Sequence, residues 1–182
     1  KYRSLLKLEQ ANLPIPPSML IHKGFKVESL EKQLGPAPWV FKTLKGSQGV
    51  GVVLAESLPS ATSICDALFE HHDALLAQSH LGDNTQDLRV FIIGDEVSAC
   101  IERQASENDF RANVHRGAKA TVIEPSQEIR ELALAASKAL GLEIAGVDVL
   151  INKDNAYVID VNASPGLEGI EEATGIDIAS KV

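Results

Sequence analysis

Three oxygen-bearing side chains near the end of the chain, Asp148, Asp160 and Asn162, have the types and spacing to hold a divalent cation. Asp148 lies in Gly146-Val147-Asp148-Val149-Leu150-Ile151, and the other two lie in Tyr157-Val158-Ile159-Asp160-Val161-Asn162. Two β-branched runs around the polar Asn152-Lys153-Asp154-Asn155 read as a tight antiparallel hairpin. A three-residue loop, Lys153-Asp154-Asn155 with Asn155 left-handed, closes between Asn152 and Ala156. It sets Leu150 opposite Val158 and Asp148 opposite Asp160. Facing carboxylates repel and destabilise a sheet unless something neutralises them, and a divalent cation would. Asn162, two residues beyond Asp160, adds a third oxygen on the same face. Mg²⁺ suits such a set: one or two carboxylates, waters and nucleotide phosphates. A two-residue turn at Asp154-Asn155 instead shifts the register by one and separates the pair. Beyond the strand, Asn162-Ala163-Ser164-Pro165-Gly166-Leu167-Glu168-Gly169-Ile170 is too rich in Pro and Gly to continue it.

A second set of candidates binds anions. In Trp39-Val40-Phe41-Lys42-Thr43-Leu44, read as a strand, Lys42 shares a face with Val40 and Leu44, so it must snorkel or meet an anion. Lys45-Gly46-Ser47-Gln48-Gly49-Val50-Gly51 follows, then a second strand over Val52 to Ala55. Its glycines allow backbone N–H groups to approach an anion closely. No Gly-Lys-Ser/Thr and no helix follow, which excludes a Walker loop and a dinucleotide fingerprint. Strand–glycine loop–strand is the form of a flap over a triphosphate, or of a plain hairpin. Between Arg103 and Lys119 the chain is irregular and basic, with Arg103, Arg111, Arg116 and Lys119 among Asn113, His115 and Gly117. Such cations suit phosphate and carboxylate groups.

The elements that position these residues are legible from periodicity and caps. Tyr2 to Gln10 reads as a short helix with Leu5, Leu8 and Leu6 inward. Leu13-Pro14-Ile15-Pro16-Pro17 leads out as an extended linker. Glu28 to Leu34 is a short helix. Ser57 to His72 is another, with Ser60 as N-cap and His71-His72 complementing its C-terminal dipole. Leu75 to Leu81, Leu88 to Ile93 and Val97 to Ile101 read as strands, the last two joined at Gly94-Asp95. Ser126 to Leu140 is the clearest helix, capped by Ser126 and stopped by Gly141, and it packs behind the Asp148 hairpin.

Composition bounds the classes. The chain has 182 residues, 45% hydrophobic and 23% charged, an ordinary globular balance. A net charge of −8 argues against nucleic acid as the main partner. Cys65 and Cys100 have no metal-like spacing and read as buried thiols in a reducing cytoplasm. No apolar run is long enough to span a bilayer. The chain begins at Lys1 without Met and reads as an excised piece of something longer.

Lys42, the flap Gly46-Ser47-Gln48-Gly49-Val50-Gly51 and the strands around Asp148 and Asp160 together resemble an ATP-grasp ligase. Asp109-Phe110-Arg111-Ala112-Asn113-Val114-His115-Arg116-Gly117, the Asn162 to Glu171 string and Thr174-Gly175-Ile176-Asp177-Ile178-Ala179 are similar to its RimK branch, the α-L-glutamate ligases that extend the sixth protein of the ribosomal small subunit. The resemblance covers nearly the whole chain. It implies an α+β fold of two lobes with the nucleotide between them. The small lobe spans about 13–77, and 1–12 with 78–182 form the large lobe. It also implies an N-terminal family domain, expected to lie outside this sequence.

By the same resemblance, Lys1 and Lys42 contact the phosphates of ATP under the flap glycines Gly46, Gly49 and Gly51 with Ser47 and Gln48. Gln78, Ser79, His80 and Leu81 form the adenine hinge, and Asp87 lies near the ribose. Arg111 and Asn113 reach the phosphates, while Asp148, Asp160 and Asn162 hold Mg²⁺, or Mn²⁺ in its place. Arg116 and Ser164 meet the amino-acid substrate; Lys42, Arg111 and Arg116 are the implied catalytic residues. Two positions depart from the family: Asp160 replaces the more usual Glu, and Ser79-His80 replaces Glu and an aromatic. The implied partners are L-glutamate and the acidic C-terminal tail of the ribosomal protein, with no nucleic acid or membrane; a homo-oligomer stays open. The implied chemistry is attack of a carboxylate on the γ-phosphate of ATP, then displacement of phosphate by an amine. Alternatives are a ligase for another small acid or peptide, and a nucleotide-binding module without catalysis.

Overall fold

The computed structural model describes residues 1–46, 50–81, 86–104, 119–167, 170–171, 175 and 180, with the backbone alone for Gln86, Gln104 and Lys119. It contains helices and two antiparallel sheets, an α+β architecture, in two compact units. One unit comprises Pro16–Gly82 with Tyr2. The other comprises Lys1, Arg3–Ile15 and Asp83–Val182.

In the Pro16–Gly82 unit, β1 (Ser18–His22), β2 (Trp39–Thr43), β3 (Val52–Ala55) and β4 (Ala74–Ser79) form a sheet in the order β1-β4-β2-β3. The strand β1 lies just past the Pro-rich segment, where the sequence suggests only an extended lead-out. Its pairing with β4, Ser18 to Gln78 through His22 to Ala74, is long-range and leaves no local trace. The core joins Ile21, Trp39, Phe41, Leu75 and Ala77 to Leu30 of α2 (Leu30–Leu34) and to Ala61, Cys65 and Phe69 of α3 (Leu58–Phe69). Ser57, not Ser60, caps α3: its hydroxyl accepts from Ser60 N–H, and the Ser60 hydroxyl answers the Ser57 N–H in a capping box. The helix stops at Phe69, so His71 and His72 lie beyond it.

In the other unit, β5 (Gln86–Ile93), β6 (Glu96–Gln104), β7 (Lys119–Val122), β8 (Ile144–Asn152) and β9 (Asn155–Asn162) form a sheet in the order β7-β6-β5-β8-β9. The helix α4 (Gln127–Leu140) packs on β8 and β9, as its apolar stripe implies. Ser126 accepts from Ile129 N–H, and Gly141 ends the helix in the left-handed conformation at φ 69°. Leu5 and Leu8 of α1 (Tyr2–Gln10) are buried, while Leu6 is turned outward. Val158 N–H donates to Pro14 O at 2.9 Å, so the Leu13–Ile15 segment ties down the outer edge of β9.

The β8–β9 register corrects the hairpin expectation. Asn152 pairs with Asn155 across a two-residue turn, Lys153-Asp154, with positive φ at Lys153 (54°) and not at Asn155. Leu150 therefore faces Tyr157 rather than Val158, and continuing that register would place Asp148 opposite Ile159. A β-bulge then shifts the ladder by one, and Asp148 faces Asp160 after all, with Gly146 facing Asn162. The bulge lets Ala156, Val158 and Val161 all turn into the core despite their uneven spacing.

Candidate functional site

The alternation of β5 places Asp87, Arg89 and Phe91 on one sheet face, and cross-strand pairing collects charge there. Asp87 faces Arg103 of β6, Arg89 faces Asp148 of β8, and Asp148 faces Asp160 of β9. One end of this face is apolar: Phe91, Ala99, Ile101 and Ala120 pack with Leu167 and Ile170. The other end carries the charges.

Those charges are tightly paired. Arg89 clasps Asp148 with Nε donating to Oδ1 and Nη2 to Oδ2, both at 2.8 Å. Arg103 clasps Asp87 at 2.6 and 2.7 Å and reaches across β5 to Asp148 Oδ1 at 3.1 Å. Against its burial, Asp148 is held below the usual carboxylate range by Arg103 and Arg89. Burial pushes Asp87 up to about 6, although Arg103 opposes it; Asp148 adds to the rise. The same two acids outweigh burial at Arg103 and raise its already high pKa. The guanidinium groups of Arg89 and Arg103 therefore offset the charge of Asp148, which faces Asp160. Arg103, which the sequence groups with the substrate-binding cations, is instead buried and committed to Asp87 and Asp148.

Asp160 and Asn162 are half-buried, and Asp160 Oδ1 accepts from Val161 N–H at 3.1 Å. Beyond Asn162 the chain folds back, and Ser164 is exposed while Pro165 lies against Gly146. A Cβ on Gly146 would come within 2.8 Å of Pro165 Cβ, so only glycine admits this contact. Lys1 is half-buried at the start of α1, its carbonyl accepting from Leu5 N–H at 3.1 Å.

In the other unit, Lys42 Nζ donates to Gln78 Oε1 at 2.7 Å, and Gln78 Nε2 donates to Ser18 Oγ at 2.8 Å. Gln78 is buried, so its side chain fixes the lysine head. At the base of the glycine loop, Thr43 N–H donates to Gly51 O at 2.9 Å, and a Cβ on Gly51 would clash with the Thr43 side chain. Gly46 and Gly51 both have positive φ, 125° and 73°. Ser79 Oγ donates to Leu34 O, Ser79 N–H to Pro17 O and His80 N–H to Pro38 O, and Leu81 is half-buried. Ser47, Gln48, Gly49, Arg111, Asn113 and Arg116 lie outside the described residues, as does the Lys119 side chain.

A family model for the RimK-like ATP-grasp domain matches residues 1–182. The chain belongs to the RimK-like ATP-grasp family. This RimK-like chain is 43% identical over 183 residues to the probable alpha-L-glutamate ligase 1 of Shewanella frigidimarina, covering 100% of itself and 61% of that protein. It is 42% identical to the probable alpha-L-glutamate ligase of Legionella pneumophila, with the same coverage. It thus spans about 61% of the length of the curated relatives it matches. Among solved structures it is similar to the ATP-grasp ligase PsnB complexed with a phosphomimetic variant of minimal precursor, Mg and ADP. The TM-score is 0.77 at 25% identity, covering 100% of this chain and 55% of that one. D-alanine–D-alanine ligase from Bacillus anthracis complexed with ATP shares the fold at a TM-score of 0.78 and 23% identity, covering 97% and 60%.

The donor set of the RimK-like chain fits a hard divalent cation: two facing carboxylates and an amide two pairs further along, on the same face. Among the described residues no three His, Cys, Asp or Glu side chains form a metal cluster, so a cation here would depend on Asn162 and on oxygens from water and ligand. Arg89 is the residue that sequence reading missed. Its signal was the Asp87-Leu88-Arg89 alternation, which puts both charges on one face of a strand otherwise read only as apolar.

Proposed function

We propose that the protein containing this chain is an ATP- and Mg²⁺-dependent carboxylate–amine ligase that adds L-glutamate to the carboxyl end of an acidic peptide. The RimK-like match over residues 1–182 carries this reading. The relatives named as probable alpha-L-glutamate ligases point to glutamate, and resemblance to the RimK branch implies the C-terminal tail of the sixth ribosomal small-subunit protein as the acceptor. PsnB complexed with a precursor supports a peptide as acceptor.

Asp148, Asp160 and Asn162 would hold Mg²⁺, which when bound neutralises phosphate charge. Lys42, fixed by Gln78, would meet a phosphate oxygen with a preset ammonium and little reorganisation. Lys1, Arg111 and Asn113 would add donors to the phosphates. The flap from Gly46 to Gly51 would cover them, with Ser47, Gln48 and Gly49 at its tip. Gln78 to Leu81 would line the adenine, Asp87 the ribose. The acceptor carboxylate attacks the γ-phosphate to give an acyl phosphate and ADP. The amine of glutamate then displaces phosphate and forms the amide. Because Arg103 is committed to Asp87 and Asp148, recognition of substrate carboxylates would fall to Arg116 and Ser164.

The test uses the full-length protein with ATP, Mg²⁺, glutamate and a peptide ending in glutamate. Successive glutamate additions appear by mass spectrometry. ADP release with another amino acid or acid acceptor, and no additions, would leave the ligase and remove the glutamate. No ADP release with any substrate would favour a nucleotide-binding module.

A further inference from the structure

We propose that Arg89 is a placeholder for the divalent cation: it occupies the Asp148 carboxylate when the metal is absent and is released when the metal binds. The inference rests on the reading of Asp148, Asp160 and Asn162 as the metal set.

The argument begins with lone pairs. A carboxylate offers about four acceptor sites. Arg89 takes one on each oxygen of Asp148, and Arg103 takes a second on Oδ1. A single site remains, on Oδ2, for a cation that binds best to unencumbered oxygens.

Only Arg89 is suited to leave. Its side chain is 21% exposed and both of its described hydrogen bonds go to Asp148. The Arg103 side chain is 3% exposed and bridges two acids, so its departure would strand Asp87 as well. Arg103 stays as the fixed counter-ion, and Arg89 exchanges.

The test measures Mn²⁺ binding without nucleotide, by the loss of the free-ion electron paramagnetic resonance signal, on the full-length protein. Arg89→Met removes the competitor and should tighten Mn²⁺ binding about tenfold, since a charge-assisted pair is worth that much or more. Arg89→Lys, which keeps the charge but loses the fork, should fall between Arg89→Met and wild type. Equal or weaker binding by Arg89→Met would overturn the exchange and make Arg89 a positioning residue for Asp148. Asp160→Asn tests the underlying reading: Mn²⁺ binding unchanged by that substitution places the metal elsewhere, whatever Arg89 does. Should Arg89→Met fail to fold, the wild type gives a second measurement in ¹⁵N spectra of arginine Nε–H groups. The Arg89 resonance, identified by its absence from Arg89→Lys, should shift on Mg²⁺ saturation while that of Arg103 persists. An unmoved Arg89 resonance would overturn the proposal.

Discussion

Pro165 rests on Gly146 so closely that the smallest side chain there would drive its Cβ to 2.8 Å from that of the proline. The contact fixes how the chain turns after Asn162, because Gly146 and Asn162 are facing residues of β8 and β9. Gly146→Ala should cost about 1–3 kcal/mol through overpacking and weaken cation binding by displacing Asn162. Pro165→Gly removes the clashing carbon, so the double variant should recover part of the loss. Additive effects in that double-mutant cycle, read from urea midpoints, would show that the two residues do not press on each other.

The two facing carboxylates should respond differently to neutralisation. Asp148→Asn leaves Arg89 and Arg103 facing a neutral amide in a buried site and should cost about 3–5 kcal/mol. Asp160→Asn removes a half-buried charge beside Asp148 and should cost little, or stabilise slightly, by easing repulsion. Thermal unfolding without metal ranks them. A fall at Asp160→Asn matching that at Asp148→Asn would contradict the ranking.

Lys42→Met keeps the apolar stem but deprives the buried Gln78 of the ammonium at 2.7 Å. That loss should cost about 1–3 kcal/mol of stability as well as nucleotide affinity. Lys42→Met with Gln78→Leu removes both halves of the bond and should be more stable than Lys42→Met alone, with nucleotide binding still impaired. Recovery of nucleotide binding in the double variant would show that Lys42 acts only on stability.

The acid–base balance of the cluster has a definite sign. Asp87 rises from an ordinary 3.8 to about 6, so its stabilising contribution is complete below about pH 4 and is lost as pH climbs through 6. Asp148 is lowered, so its contribution is present above its ordinary value of 3.8 and is lost only in stronger acid. From pH 6.5 down to 4.5 Asp87 should add stability, at most about 1.4 kcal/mol per pH unit. Asp87→Asn should flatten that part of the profile. Parallel wild-type and variant profiles, from urea unfolding at each pH, would remove Asp87 as the source.

Burial pushes the Cys65 thiol up to about 11, with Asp66 adding to the rise. Burial likewise pushes Cys100 up to about 12, Glu102 adding and Arg130 opposing. Since the thiolate is the reactive form, neither should be modified by a disulfide reagent at pH 8 in the native protein, and both should react in urea. Peptide mass spectrometry reads the two sites separately. Native labelling of either at the unfolded rate would show it to be accessible.

Much was determined by the sequence alone, where the cause was local. The stripe of Ile129, Leu132, Ala133 and Ala136, with Ser126 before it and Gly141 after it, specifies α4 and its buried face. The β-branched runs around Lys153-Asp154 specify a hairpin, and the RimK-like motifs specify the family. Only the tertiary structure decided the register. Val158, Ile159 and Val161 are all apolar, so neither strand parity is favoured locally, and the bulge follows from which of them α4 and the core can accommodate. The pairing of Asp148 was likewise beyond the sequence. Arg89 and Arg103 are 59 and 45 residues away along the chain, and they reach the carboxylate only because β5 lies between β6 and β8. Composition reports that charges exist; strand order decides which of them meet.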